Sequence, residues 1–396
     1  MTLEAAEFLM SPRGREALEL LAGNSGGMLA SGTLLRRRFP DIQPEFLASA
    51  AELAEARERG RTKFESAAEM YFTREALEQA TDGRVAKHRA ERFLGLGDVC
   101  DACCGIGGDS LALGKAADRL VCVDTDPVRL LFCGENLRLH GVSACLVRAD
   151  ILEMREEVSR FDALFIDPSR RPGGRRTLDP RRMEPPLGRV FELLRAVPRG
   201  AAKLPPSVRR GDIPLSCELE WVSTEDGLKE ATLWTGEFRR SAVTVSLLHR
   251  NAFLSDDGLP DEEPEIGEGS FLYEPDPALI RSGLLGRKAA SLGMRLLDRR
   301  IAYTTKDRPV ADPFFTCFRI LRAFPFGMKR LESELGALGA GSVTVKKRGF
   351  PLTPEEVIRK LRLTGEGGAT VILARVGDSH RAYIVERMEE SLAARL

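Results

Sequence analysis

The chain has 396 residues, of which 43% are hydrophobic, enough to build two or three domains with their own cores. Lysine plus arginine equals aspartate plus glutamate, 59 each, so no overall charge draws the chain to nucleic acid or to a membrane. The N-terminus lacks the basic stretch and following apolar run of a targeting segment. No window approaches the roughly 20 apolar residues of a membrane span. We therefore expect a cytoplasmic protein without a membrane partner.

The eight cysteines lie mostly in apolar, strand-like segments, as reduced core residues do. Cys100 and Cys103 form a C-x-x-C pattern, for which a zinc or redox site is the alternative interpretation. However, residues three apart on a strand point to opposite faces, and no second pair supplies the remaining ligands. The four histidines are widely spaced, so the sequence predicts no metal site.

Residues 1–95 are predicted to be helical, because Ala48–Glu58 is rich in helix-forming residues and Thr73 resembles a helix cap. From Asp98 onward, short apolar runs alternate with helical stretches, which predicts a parallel sheet covered by helices. The predicted strands are 98–103, 119–123, 144–148, 163–166 and 201–204.

The strand pattern then changes to an antiparallel one. Runs 217–223 and 228–235 are joined through Glu225-Asp-Gly227, a hairpin signal, and 242–249 adds a further apolar run. The segment 96–250 is therefore predicted to be one α/β domain with a Rossmann-like sheet.

The predicted linker is the segment 251–268, which carries seven acidic residues, two prolines and no basic residue. Beyond it, residues 269–396 are predicted to form a smaller α+β domain. Its predicted helices are 277–299 and 354–363, and its predicted strands are 342–346, 369–376 and 381–385.

A glycine-rich turn follows the first predicted strand, in the run Val99-Cys-Asp-Ala-Cys-Cys-Gly-Ile-Gly-Gly108. Such a turn lets the backbone approach a ligand closely and offers its N–H groups. The sixth position counted from Gly105 is Ser110, whereas a dinucleotide site has a third glycine there. Asp101 would repel a pyrophosphate, but it is well placed for the cationic part of a sulfonium cofactor. The residues predicted to bind this cofactor here are Asp101, Cys103, Gly105, Gly107 and Gly108.

Two further acidic residues end the next two predicted strands. Asp124 is placed to accept hydrogen bonds from both ribose hydroxyls, and Asp150 to hold an adenine amino group. Taken singly, each is more typical of a solvated strand end. The order of acid, glycines and acids at successive strand ends predicts S-adenosylmethionine as the cofactor.

The fourth predicted strand ends in Asp167-Pro168. A carboxylate beside a backbone carbonyl can accept hydrogen bonds from an exocyclic amine and hold its lone pair toward a methyl group. The alternative is a turn residue that caps the next segment. Residues 169–171 are Ser-Arg-Arg, so no aromatic side chain is available here to stack on a base. Asp167, Pro168 and Arg170 are the predicted catalytic residues.

Six arginines lie within 13 residues of one another, between 170 and 182. Arginine binds phosphate in a bidentate manner, so their position beside Asp167 favours a nucleic-acid strand or a phosphorylated substrate as the partner over the alternative of a solvated charged face. Lys203 ends the fifth predicted strand, where a lysine can reach the substrate or extend to solvent. The predicted substrate-binding residues are Arg171, Arg175, Arg176 and Lys203.

The motifs that carry a family resemblance are Asp101-Ala-Cys-Cys-Gly-Ile-Gly-Gly-Asp-Ser110, Asp124-Thr-Asp-Pro127, Asp167-Pro-Ser-Arg-Arg171, Glu220-Trp-Val-Ser223 and Lys229-Glu-Ala-Thr-Leu-Trp234. Together they resemble the bacterial class I methyltransferases with a C-terminal THUMP-like domain, relatives of the trimethylguanosine synthase type of RNA methylase. The resemblance implies an S-adenosylmethionine-dependent methyltransferase, and THUMP domains bind structured RNA.

The chain departs from the trimethylguanosine synthase pattern after Pro168, where that group has a second proline and an aromatic residue. This difference argues against cap guanine as the substrate. The resulting prediction is methylation of a base nitrogen in RNA. The alternatives are a non-catalytic RNA-binding protein on the same fold, and a methyltransferase of a protein or a small molecule.

Overall fold

The computed structural model describes residues 1–22, 27–170, 177, 179–257, 259–260 and 263–388, with the side chains of residues 27–29 left aside. The chain divides into two compact units. Unit 1 consists of Met1–Val208, Asp212–Leu219 and Glu230–Ala242; unit 2 consists of Arg209–Gly211, Glu220–Lys229 and Val243–Leu396.

The first part of unit 1 is helical, as predicted. Its helices α1 to α6 are Leu3–Met10, Pro12–Leu21, Gly27–Arg38, Pro44–Gly60, Arg74–Gln79 and Gly83–Ala90. Thr73 caps α5 by accepting a hydrogen bond from the Ala76 N–H, which confirms the predicted helix start. The apolar faces of these helices share one core with residues of the following α/β part, including Ile106 and Phe132.

The α/β part of unit 1 alternates strands with helices. The elements are β1 Asp98–Ala102, α7 Ser110–Ala116, β2 Arg119–Asp124, α8 Pro127–Leu139, β3 Cys145–Arg148, α9 Arg155–Val158, β4 Ala163–Ile166, α10 Leu187–Leu194 and β5 Arg199–Leu204. The five predicted strands are confirmed to within about two residues at each end. The units do not separate this part from the helical region, and the predicted boundary at residue 95 stays a prediction.

The sheet of unit 1 has the strand order β3-β2-β1-β4-β5, and all these pairs are parallel. Four further strands follow in the chain: β6 Glu218–Thr224, β7 Gly227–Gly236, β8 Val243–Leu247 and β9 Ala252–Ser255. β7 runs antiparallel beside β5. The strand order reverses between β1 and β4, which leaves a crevice at the carboxyl ends of these two strands.

β4 is buried throughout, as a central strand of a parallel sheet requires, because helices cover both sheet faces. β3 lies at the sheet edge and is largely exposed. This difference explains why the apolar run Ala163–Ile166 is the clearest strand signal in the sequence. The Rossmann-like fold class is confirmed.

Unit 2 contains the antiparallel pair β8 and β9 and a second sheet. Its remaining elements are β10 Phe271–Pro275, α11 Pro277–Ser282, α12 Leu285–Ser291, β11 Arg295–Asp298, β12 Ile301–Lys306, β13 Phe315–Pro325, α13 Met328–Ala337, β14 Ala340–Arg348, α14 Pro354–Lys360, β15 Gly367–Val376 and β16 Ser379–Arg387. The second sheet has the strand order β11-β12-β10-β13-β16-β15-β14, so this unit is α+β, as predicted.

Two details of the C-terminal prediction are corrected. The predicted helix 277–299 is two short helices followed by a strand, because Gly283 and Gly293 take left-handed φ angles of 80° and 60° that end each helix. The acidic segment 251–268 begins with a strand, β9.

Among the described residues, no helix is both long and apolar enough to cross a membrane.

Candidate active site

A cavity of about 540 Å³ opens at the carboxyl ends of the parallel strands of unit 1. Its volume lies within the roughly 300–1,000 Å³ that is usual for small-molecule sites. Asp124, Asp150 and Asp167 all line it, because each ends or follows a parallel strand and these ends meet at one sheet edge. The structure thus brings together the three acidic residues that the sequence places at successive strand ends.

The glycine turn lies against Asp124. The Gly105 N–H donates a hydrogen bond to Asp124 Oδ2 and the Asp126 N–H donates one to Oδ1, both at 2.9 Å. Gly105 has a φ of +56°, and a Cβ atom added to it would meet nothing within 4 Å. Burial raises the pKa of Asp124, and the two N–H donors oppose that shift. This arrangement holds a carboxylate in place at the cavity wall.

Three other predicted cofactor residues also line the cavity: Cys103, Gly108 and Asp150. Asp150 accepts a hydrogen bond from the Leu152 N–H at 2.9 Å. Burial, followed by the charges of Asp124 and Asp167, raises the pKa of the Cys103 thiol. Since the thiolate is the nucleophilic form, this cysteine is poorly suited to covalent catalysis.

Two of the predicted cofactor residues do not line the cavity. Asp101 is 0% exposed and accepts a hydrogen bond from the Ser110 hydroxyl, because its side chain leaves β1 toward the start of α7. Gly107 has a φ of +85°, and a Cβ atom there would lie 3.0 Å from Cys133 Sγ. These two residues lie behind the turn, and a direct contact of either one with the cofactor stays a prediction.

Asp167 lines the cavity at the end of β4, where its N–H donates to the Ala102 carbonyl at 3.1 Å. Asp167 Oδ2 accepts a hydrogen bond from Lys203 Nζ at 2.9 Å. Pro168 and Arg170 line the same cavity. The structure therefore places all three predicted catalytic residues together.

Lys203 was predicted to bind substrate, but its ammonium group has protein partners. It donates to Asp167, to Thr81 Oγ1 at 2.8 Å and to the Gln79 carbonyl at 3.4 Å. The side chain is only 7% exposed. The other predicted substrate residues, Arg171, Arg175 and Arg176, lie outside the described residues.

The wall opposite the strand ends was not predicted. It comes from the helical region, through Glu75, Ala76, Glu78, Gln79, Ala80 and Thr81. The only sequence signal near it is the cap at Thr73. Asn136 of α8 anchors the preceding segment, since its side chain bonds to the N–H and carbonyl of Tyr71 at 2.7 and 2.9 Å and to the Ile106 carbonyl at 2.9 Å.

Three buried cysteines meet in the core near the glycine turn. The sulfur atoms of Cys104, Cys122 and Cys133 lie within 4.8 Å of one another. They come from a turn, a strand and a helix, so no spacing in the sequence marks them. Of the eight cysteines, Cys103 is half-buried, Cys145 is exposed and the other six are buried.

Comparison with known proteins agrees with this fold. A family model described as THUMP domain-like matches residues 315–387, in unit 2. A crystal structure of a proposed methyltransferase of Porphyromonas gingivalis superimposes with a TM-score of 0.74 at 21% identity, covering 88% of this chain and 92% of that one. The fold is that of a class I methyltransferase, with a THUMP-like domain at the C-terminus.

Two proteins from two strains of Mycobacterium tuberculosis, named as uncharacterized S-adenosylmethionine-dependent methyltransferases, are each 35% identical over 318 residues. These residues make up 79% of this chain and 87% of each relative. The chain belongs to this family of S-adenosylmethionine-dependent methyltransferases, and S-adenosylmethionine is its cofactor.

The cavity fits this cofactor in charge. Among the described residues that line it, carboxylates outnumber cations: Glu75, Glu78, Asp109, Asp124, Asp126, Asp150, Asp167 and Glu184 against Arg129, Arg170 and Lys203. An acidic wall favours a ligand with a sulfonium and an ammonium group over one with a pyrophosphate. Gly105 leaves room at the turn, since no atom lies within 4 Å of its missing Cβ.

Proposed function

We propose that this methyltransferase acts on RNA and methylates a nitrogen of a base. The observation that carries the proposal is the position of Asp167-Pro168, which shares one cavity with the cofactor-side carboxylates Asp124 and Asp150. A transfer reaction needs its acceptor held next to the donor, and this cavity provides for both.

When bound, S-adenosylmethionine supplies an electrophilic methyl group. Asp167 supplies the acceptor-side chemistry: Oδ2 is held by Lys203, and Oδ1 has no hydrogen-bond partner among the described residues. Oδ1 accepts a hydrogen bond from the amine of the base, directs its lone pair toward the methyl group, and takes up the proton that the amine loses. Pro168 fixes the backbone of the turn.

The residues at the rim of the cavity support the proposal that the partner is a polyanion. Ser169 and Glu184 line the cavity and pair through two backbone hydrogen bonds of 2.8 and 3.0 Å, so the arginine-rich segment between them starts and ends there. Arg181 and Arg182 in this segment are exposed. Phosphates at this rim and a base inside the acidic cavity would separate the two charge requirements of an RNA substrate. The THUMP-like match in unit 2 also favours RNA.

The experiment that tests this proposal uses methyl-labelled S-adenosylmethionine with RNA from a strain that lacks the gene. RNA from the intact strain is the control, because its sites are already methylated. We expect label only in the first RNA, and digestion to nucleosides then identifies the product. Binding of the cofactor without label in either RNA would overturn the proposal and would favour a protein or small-molecule acceptor.

Two variants test the assigned roles of the site residues. We expect Asp124→Ala to abolish cofactor binding, because it removes the carboxylate that the Gly105 turn holds. Asp167→Ala should bind the cofactor with the wild-type affinity and lose at least about 100-fold in turnover, the scale of a lost acid–base group. Equal loss of cofactor affinity in both variants would contradict this division of roles.

A further inference from the structure

We propose that Lys203 is the positioning residue for Asp167, and that it acts as part of a buried hydrogen-bonded chain that reaches the helical N-terminal region. The proposal rests on the proposed function, because it takes Asp167 as the residue that holds the acceptor.

The hydrogen-bond capacity of Lys203 is fully used. An ammonium group has three N–H donors and no acceptor, and the three acceptors around Lys203 are Asp167 Oδ2, Thr81 Oγ1 and the Gln79 carbonyl. A base that took one of these donors would break an existing bond. Lys203 therefore contacts Asp167 instead of the acceptor.

The hydrogen-bonded chain continues from Lys203 away from the cavity through Thr81. Its hydroxyl accepts from Lys203 and donates to Asp109 Oδ2 at 2.6 Å, so one hydroxyl serves both neighbours. Asp109 pairs in turn with the guanidinium of Arg89, which also pairs with Glu230. Asp109 occupies the N-cap position of α7 but makes no capping bond, because its carboxylate is used in this chain.

This hydrogen-bonded chain joins three parts of unit 1 that are distant in sequence. Asp167 ends β4, Thr81 follows α5 of the helical region, and Asp109 directly follows the glycine turn. Charges alternate along it, from carboxylate to ammonium and, beyond the Thr81 hydroxyl, to carboxylate and guanidinium. Each member therefore restrains the next in a site of low exposure, where such bonds are strong. The consequence is that Asp167 Oδ2 is fixed and Oδ1 faces the acceptor.

The test separates positioning from cofactor binding. Lys203→Met keeps the apolar stem and removes the ammonium group. We expect kcat to fall about 10- to 100-fold, the effect of misplacing a reacting group by about 1 Å. The cofactor Kd should stay within about 2-fold, because Asp124 and Gly105 keep their contacts. A hydrogen-exchange measurement should also show faster exchange in the peptide 163–170 of the variant.

Thr81 supplies a matched pair of variants. Thr81→Val is nearly isosteric but lacks the hydroxyl, whereas Thr81→Ser keeps it. We expect Thr81→Val to lower kcat about 3- to 10-fold at an unchanged cofactor Kd, and Thr81→Ser to stay close to wild type. The control for losing a paired lysine is Lys288→Met in unit 2, whose side chain is 15% exposed. This variant removes a 2.6 Å pair with Asp312 and should leave kcat and the exchange of peptide 163–170 unchanged.

The double variant Lys203→Met/Asp167→Asn decides whether Lys203 acts through Asp167. We expect it to be no slower than Asp167→Asn alone. Additive losses, or a Thr81→Val enzyme with the kcat of wild type, would overturn the proposal. If the wild-type protein labels no RNA, the proposed function has failed first; labelling by wild type with no effect of Lys203→Met refutes only the positioning role.

Discussion

Arg89 is a buried cation in the core of unit 1. Its side chain is 1% exposed, pairs with both Asp109 and Glu230, and lies over the ring of Phe165 at 4.6 Å. Arg89→Met removes the only cation in this group while keeping an apolar stem of similar length. Asp109 and Glu230, both buried, would then lose the guanidinium with which they pair.

The size of the effect follows from what remains. Removing one partner of a buried ion pair costs about 3–5 kcal/mol. Here each carboxylate keeps one hydroxyl donor, Thr81 to Asp109 at 2.6 Å and Thr232 to Glu230 at 3.3 Å. Because these bonds limit the loss, we expect the free energy of unfolding of unit 1 to decrease by about 3–5 kcal/mol and by no more than that.

Urea unfolding followed by tryptophan fluorescence measures this loss. The chain has two tryptophans, Trp234 in unit 1 and Trp221 in unit 2, so a Trp221→Phe background reports unit 1 alone. The matched control is Arg138→Met, which breaks an ion pair with Glu135 on a side chain that is 63% exposed and should unfold at the wild-type midpoint. If Arg89→Met has the same midpoint as this control, the buried pair contributes nothing and the reasoning is refuted.

Three further predictions concern the glycine turn and its supports. Gly107→Ala should lower the free energy of unfolding by about 1–3 kcal/mol, since alanine is strained at a φ of +85° and its Cβ would lie 3.0 Å from Cys133 Sγ; urea titration measures it. Asn136→Leu should cost about 3 kcal/mol and weaken cofactor binding measured by calorimetry, because it leaves two backbone groups of Tyr71 and a carbonyl of the turn unpaired. Burial raises the pKa of Asp101 well above its ordinary value, so the folded state binds this proton more tightly than the unfolded chain, and the associated stability is lost as pH rises from about 4 through the folded pKa. Asp101→Asn has no such titration, so its stability relative to wild type should increase as the pH of the urea titrations is raised above about 4.

Each of these predictions has an outcome that would contradict it. Gly141→Ala isolates backbone strain, because its φ is +69° and nothing lies within 4 Å of the added Cβ; a Gly107→Ala variant no less stable than this one would exclude the contact with Cys133. An Asn136→Leu protein that binds the cofactor as wild type does would disconnect that anchor from the turn. For Asp101→Asn, a pH-independent difference from wild type would show that the buried carboxyl does not titrate differently on folding.

The sheet of unit 1 could be predicted because its strands are short apolar runs with abrupt ends. Asp124, Asp150 and Asp167 follow such runs, and the geometry of a parallel sheet brings them to one edge without any further information. The side-chain direction of Asp101 could not be predicted in this way, since β1 is covered on both faces and alternation does not distinguish the cavity side from the core side.

The rest of the site depends on pairs that are distant in the sequence. Lys203 bonds to Thr81, from which it is separated by 122 positions in the sequence, and Arg89 bonds to Glu230 at a separation of 141 positions. No periodicity or motif marks such pairs, because each partner is an ordinary polar residue until the fold is known. For the same reason, the sequence does not predict that residues 75–81 form a wall of the cavity; it indicates only that a helix starts there.

That wall has a consequence for inhibitor selectivity. Ligands that occupy only the strand-end side of the cavity contact the carboxylates and the glycine turn, features set by a sheet that many methyltransferases share. The segment 75–81 comes from the helical region outside that sheet. A cofactor analogue extended by a cationic group toward Glu75 and Glu78 would gain contacts that the shared sheet does not offer, and so would discriminate this protein from enzymes that use the same cofactor but lack these two residues.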